Sequence, residues 1–212
     1  MLNEQQIQDN KNRFLQLLSQ ITIEDADTQG LADFLLNSDF FEAPASTKYH
    51  CNFKGGLCQH SLNVYDNLCK LVDLYVPGKY SKDTLAIVSL FHDLSKTNFY
   101  EVITKNKKVY KLSGRFTDSG GKYDWETENI YAVKDSKDRF LAADHPTNSL
   151  LLLQRYIPLN IEEASAIINH HGFTEAMGKN SEISFIFEKY SLALLLHLAD
   201  LISTYIVEER NE

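Results

Sequence analysis

The side chains most able to do chemistry are seven histidines and a few carboxylates set in apolar surroundings. The histidines are His50, His60, His92, His145, His170, His171 and His197. A single histidine on a helix is usually packed or solvated, so order and neighbours carry the information. His92-Asp93 follows the apolar run LAIVSLF, which takes the dyad inside, where charge is costly unless paired or metal-bound. Imidazole beside carboxylate suits a borderline or hard divalent ion such as Mn, Fe, Ni, Zn or Mg. Asp200 repeats the situation inside SLALLLHLADLISTY; its structural alternative is capping or pairing with a neighbouring base. His60 follows Gly55-Gly56, glycines that would let backbone approach a ligand closely. One histidine, an adjacent His-Asp and a distant aspartate, drawn from three helices, make a metal site of the kind built inside helical bundles.

The elements that must position these residues read mostly as helix. An opening amphipathic segment carries Ile7, Phe14, Leu17, Leu18 and Ile21 at helical spacing. A short helix over 31–36 follows Gly30, and a longer one over about 57–76 ends at Pro77-Gly78. Ser81 predicts the N-cap of a helix from Lys82 to about Lys96. Its centre is apolar all round, which marks a central core helix. The character changes over about 99–140. FYEVI and KKVYKL flank Thr104-Lys105-Asn106-Lys107 as strand, turn and strand, and YDWETENIYAV adds a further strand. Helical pattern resumes over 146–156. Asn160 then caps a helix to Asn169, with Glu162 and Glu163 favourably placed in its first turn. Gly172 sits where a C-terminal cap belongs, and a last long helix runs over about 187–207. The expected fold is mainly α, a helical bundle with a small β insertion.

Composition narrows the function classes. Lys plus Arg number 21 against 29 Asp plus Glu, a net charge of −8. Gripping a long nucleic acid requires a basic face, so a small substrate is expected and a long polymer is not. The cluster Lys105, Lys107, Lys108 and Lys111 reads as a solvated turn. The cysteines Cys51, Cys58 and Cys69 form no CxxC pair, as expected of reduced thiols in a cytoplasmic protein. No apolar run is long enough for a transmembrane helix, so no membrane partner is expected.

GGLCQHSLNV, FHDLSK and LLHLADLISTY resemble, in order, wording and spacing, the three signature segments of HD-superfamily phosphohydrolases. The resemblance covers residues 49–205. It implies an HD domain over 46–212 and an N-terminal helical cap over 1–45. It also implies metal ligands at His60, His92, Asp93 and Asp200. Some relatives, among them HD-GYP phosphodiesterases and HD-type exoribonucleases, hold a second ion with extra histidines. His145 and His170 fall in the corresponding interval, with His171 the alternative to His170, and the resemblance makes Asp93 the bridge between two ions. The GYP motif is missing after His170-His171, so specificity for cyclic di-GMP is not implied.

The expected function is a metal-dependent phosphohydrolase acting on a phosphate ester of a nucleotide or short oligonucleotide by metal-activated water. Asp93 and Lys96 are the expected catalytic residues, Lys96 placing positive charge against the transferring phosphoryl group. His50, in TKYHCNFKGG, is a candidate substrate phosphate contact, and His197 has a packing or supporting role. Two alternatives stand beside this reading. One is a catalytically silent HD-type nucleotide-binding or sensor module. The other is an HD-type 3'-5' exonuclease, which calls for a basic groove near Lys54, Lys96, Lys105 or Lys108.

Overall fold

In the computed structural model, residues 1–140, 142–174 and 180–208 are described. They form eight α-helices and one three-stranded sheet. Helix α1 (Glu4–Ser19) opens with a capping box in which the Asn3 side chain accepts from the Gln6 N–H and the Gln6 side chain returns to the Asn3 N–H. Helix α2 (Thr28–Leu36) starts three residues before the apolar stretch at 31, because Asp27 caps it by accepting from Gly30 N–H at 2.8 Å. Phe14 of α1 meets Phe40, Phe41 and Phe91 edge-on, at ring separations of 5.0, 5.6 and 5.6 Å. The N-terminal helices therefore share one core with the rest of the chain.

Helix α3 (Gly56–Tyr75) and helix α4 (Lys82–Phe91) form the centre, and α4 is buried at every position from Leu85 to Phe91. Ser81 caps α4 as expected, accepting from Thr84 N–H at 3.0 Å. The helix stops at Phe91 rather than near Lys96; a 3-10 turn over Leu94–Lys96 follows the His92-Asp93 dyad. Side chains three apart eclipse on such a turn, and this brings Lys96 back over Asp93.

The insertion also differs from the expectation. Residues 104–107 do not turn. Strand β1 (Tyr100–Tyr110) runs straight through them, paired antiparallel with β3 (Gly121–Val133), and short β2 (Phe116–Asp118) pairs on the far side of β3. The lysines that suggested a turn lie opposite carboxylates, Lys105 across from Glu128 and Lys107 across from Glu126, pairs that favour the ladder. Both faces of this arm are largely exposed.

Helix α5 (His145–Leu153) is capped by Asp144, which accepts from Thr147 N–H at 2.9 Å. Helix α6 (Ile161–Ile168) carries the expected Asn160 cap, completed as a box by Glu163. The last long helix is not continuous. Helix α7 (Asn180–Lys189) and helix α8 (Ser191–Ile202) meet at Tyr190, where the chain bends by 109°. A π-turn over Ser203–Val207 then closes α8. Among the described residues, no single helix is long and apolar enough to cross a membrane.

Candidate metal centre

Each element delivers its donor from a defined position. His60 lies early in α3, His92 caps α4 and Asp93 follows it. His145 opens α5, His170 follows the cap of α6, and Asp200 lies in the last turn of α8. Gly55 and Gly56 serve a different purpose from the one expected. Gly55 is left-handed at φ 81, and a Cβ on Gly56 would lie 2.0 Å from the Cys51 carbonyl oxygen. These glycines let the chain at His50-Cys51 close onto α3, which sets the His50 ring centroid 4.8 Å from that of His60.

The Asp93 carboxylate lies at the middle and splits its two oxygens. Oδ2 faces Nε2 of His60 and of His92, each at 3.6 Å. Oδ1 contacts Nε2 of His145 and lies 3.7 Å from Nε2 of His170. Asp200 Oδ1 closes the first group at 3.3 Å from His60 Nε2. Four imidazoles thus present Nε2 to one small volume, and their opposite nitrogens are already engaged. His92 Nδ1–H donates to Ser89 O at 2.8 Å and His170 Nδ1–H to Ile167 O at 2.7 Å. His60 Nδ1 donates to Glu208 Oε1 at 2.9 Å. Ser95 donates its proton to the His145 carbonyl at 3.0 Å, leaving its oxygen to accept from His145 Nδ1 at 2.6 Å.

An imidazole that donates through Nδ1 offers a bare lone pair at Nε2. His60 and His92 Nε2 atoms stand 3.2 Å apart, within reach of a hydrogen bond from the charged His60 ring. Buried His170 Nε2 has no hydrogen-bond partner. A cation among these atoms, whether the proton held by His60 or a metal ion in its place, satisfies them together, and outer hydrogen bonds of this kind orient metal-bound histidines. His60, His92 and Asp200 form one group able to hold an ion, and His92, Asp93 and His170 another. His145, His170 and His171 form a third, so the structure brings both members of the His170-His171 pair to the centre. His170 is fully buried and His171 is half-buried, on the cavity wall.

The electrostatics point the same way. Burial alone would lower the His60 pKa, but Glu208 and Asp200 outweigh it and raise it to about 10. Burial, together with neighbouring histidines, pushes His92 and His170 down. Burial would raise Asp93, yet Lys96, His92 and His145 hold it well below the usual carboxylate range. Asp200 is likewise held down, against burial, by the hydrogen bond and charge of His60. Lys96 Nζ donates to Asp93 Oδ2 at 2.6 Å, and both side chains are largely shielded from water. The centre thus combines ionised carboxylates with neutral His92 and His170, while His60 carries a proton that a bound divalent ion would displace.

A cavity of ≈ 210 Å³ opens onto this centre, walled by Lys96, His50, His171, Leu201, Thr204 and Tyr205 among others. His50 is half-buried there with neither ring nitrogen hydrogen-bonded, and burial, then His60 and Lys96, lowers its pKa to about 4. His197 supports the site from behind, donating to the His170 carbonyl at 2.7 Å. Gly172, left-handed at φ 55, makes room for it, since a Cβ there would lie 2.6 Å from His197 Nε2.

Sequence reasoning missed Glu208 and Ser95. The π-turn widens the chain so that Glu208 N–H bonds Ser203 O at 2.9 Å and the carboxylate swings onto His60. Single π-turns of this kind are frequent at functional sites. Asn63 also holds Glu208, at 3.0 Å, and the only sequence signal was a carboxylate two helical turns past Asp200. Lys54 is engaged by Glu4 and Glu42, and Lys108 by Asp118, so these two do not join Lys96 and Lys105 in an open basic groove. Comparison of the chain with family models, curated proteins and solved structures returned no match.

Proposed function

We propose that this chain is a metal-dependent phosphohydrolase of the HD type, acting on a phosphate ester of a nucleotide or short oligonucleotide. The observation that carries the reading is the division of Asp93, one oxygen toward His60 and His92 and the other toward His145 and His170. That arrangement fits two divalent ions, one held by His60, His92, Asp93 and Asp200 and the other by Asp93, His145 and His170. Ions so held would polarise phosphoryl oxygens and supply hydroxide near neutral pH.

The chain's own groups complete the chemistry. Lys96 stays protonated, since Asp93 outweighs the effect of burial, and its charge lies where a transferring phosphoryl group gathers negative charge. His50 is neutral at physiological pH and offers a ring N–H to a phosphoryl oxygen. Glu208, Ser95 and the Ser89 and Ile167 carbonyls fix ring orientation and keep each Nε2 directed inward.

The test is product release from a panel of nucleoside mono- and triphosphates, cyclic nucleotides and short oligonucleotides, with Mn²⁺ and with Asp93→Ala in parallel. Turnover of one class, lost in the variant, supports the reading and identifies mono- or diesterase chemistry. Silence with Mn²⁺, Fe²⁺, Ni²⁺ and Mg²⁺ overturns it in favour of a binding module. Metal analysis should give near two ions per chain, falling toward one in His145→Ala.

A further inference from the structure

The cavity at the metal centre, ≈ 210 Å³, is smaller than the roughly 300 Å³ at which ligand pockets usually begin. It has room for a phosphate and its immediate neighbours, and a nucleotide held there must extend outside it. A second, larger cleft of ≈ 560 Å³ lies between the root of the β arm and the 46–52 loop. One loop walls both spaces: His50 faces the metal centre, while Thr47, Lys48 and Asn52 line the cleft. That loop is internally braced. Ser46 Oγ donates to His50 O at 2.8 Å and accepts from Tyr49 N–H at 2.9 Å, and the Asn52 side chain donates to Thr47 O at 2.9 Å. Tyr100, the first residue of the arm, ties arm to loop through Ala45 O at 3.3 Å.

We propose that this cleft is a subsite for single-stranded oligonucleotide, holding the part of the strand that runs on from the scissile phosphate; this rests on the hydrolase reading above. Three lysines, Lys48, Lys105 and Lys107, converge on it with one carboxylate, Glu128, 3.5 Å from Lys107. Such a local excess of positive charge stands out on a chain of net charge −8. Tyr131 gives the cleft an aromatic surface, and Tyr49, 66% exposed, stands on the shared loop. Lysines that follow a backbone, with rings on which bases stack, are how single strands are gripped without sequence preference. An acidic peptide would use the lysines but not the rings, nor the phosphate donors of His50 and Lys96 on the other side of the loop.

The experiment measures binding of a fluorescein-labelled thymidylate hexamer to the full chain by anisotropy in EDTA, so that no turnover is needed. It compares wild type with Lys48→Glu/Lys105→Glu and with Lys70→Glu/Lys82→Glu, an equal charge change on exposed helix positions elsewhere. The cleft variant should bind about tenfold more weakly, with a salt slope shallower by about 1.4 for two lost phosphate contacts. Equal weakening in both variants, or none in either, overturns the proposal. Displacement of the hexamer by polyglutamate at matched charge overturns it in favour of an acidic peptide. Turnover of the nucleotide and oligonucleotide panel above by wild type, with each of the four metals, reports separately on the hydrolase reading. Turnover with cleft-indifferent hexamer binding sinks the subsite alone, and cleft-dependent binding without turnover sinks the hydrolase alone.

Discussion

Lysine meets aspartate in two parts of this molecule under opposite conditions. At the candidate metal centre, Lys96 lies 2.6 Å from Asp93, with side-chain exposures of 16% and 3%. On the β arm, Lys111 lies 3.1 Å from Asp124, and the lysine is 41% exposed. The chemical pair is the same, but water screens the arm pair and is nearly excluded from the central one. A buried ion pair gains little over apolar packing, whereas losing one partner is severe because the other charge is stranded. Exposed pairs contribute little either way. Retaining Asp93 and Asp200 in an otherwise apolar core therefore points to a task beyond stability, and coordination of cations is the task their surroundings fit.

The largest effect should follow Asp93→Ala. Turnover should fall to background and bound metal should be lost, as read by product release and metal analysis; a fully active variant would remove the basis of the comparison. Next comes Lys96→Met, which in chelated protein should cost about 3 kcal/mol by stranding Asp93. Denaturant unfolding of that variant beside Lys111→Met, which should leave the midpoint unchanged, sets the buried pair directly against the exposed one. Equal midpoints would show that burial does not separate them.

Glu208→Gln should weaken metal binding by about 10- to 100-fold, the usual consequence of losing an outer partner of a ligand histidine, as measured by competition with a chelator dye. A further effect is a pH slope. His60 is raised in the folded protein from 6.5 to about 10, so its contribution to stability is complete below pH 6.5 and disappears as pH rises through about 10. Melting of chelated protein should decline across that alkaline window. The decline should flatten in Glu208→Gln and in Mn²⁺-loaded protein, where no proton is held at Nε2. A slope unchanged by both would mean that His60 is not the titrating group.

Local sequence rules served well wherever a residue's neighbours in the chain decide its conformation. Ser81 and Asn160 cap their helices as read, and the run 85–91 is the buried centre. His145 and His170 flank α5 and α6 from the expected ends. The rules failed where partners are remote. The lysines at 105–108 resemble a turn until Glu126 and Glu128 are seen across the ladder. Residues 187–207 read as one helix until the chain bends at Tyr190 and a π-turn redirects its end.

The sequence by itself determined that the chain would be mainly helical with a β insertion, because apolar periodicity and capping act over a few residues. It also determined which side chains could serve as donors, since burying His92-Asp93 and Asp200 is tolerable only with compensation. Only the tertiary structure decided how Asp93 shares its two oxygens, that His170 and His171 both reach the centre, and that Glu208 and Ser95 orient the rings. Those are angles and distances between helices far apart in the chain, fixed by packing rather than by local preference. The same packing set one short loop between the candidate metal centre and the lysine-lined cleft, a juxtaposition that no local pattern encodes.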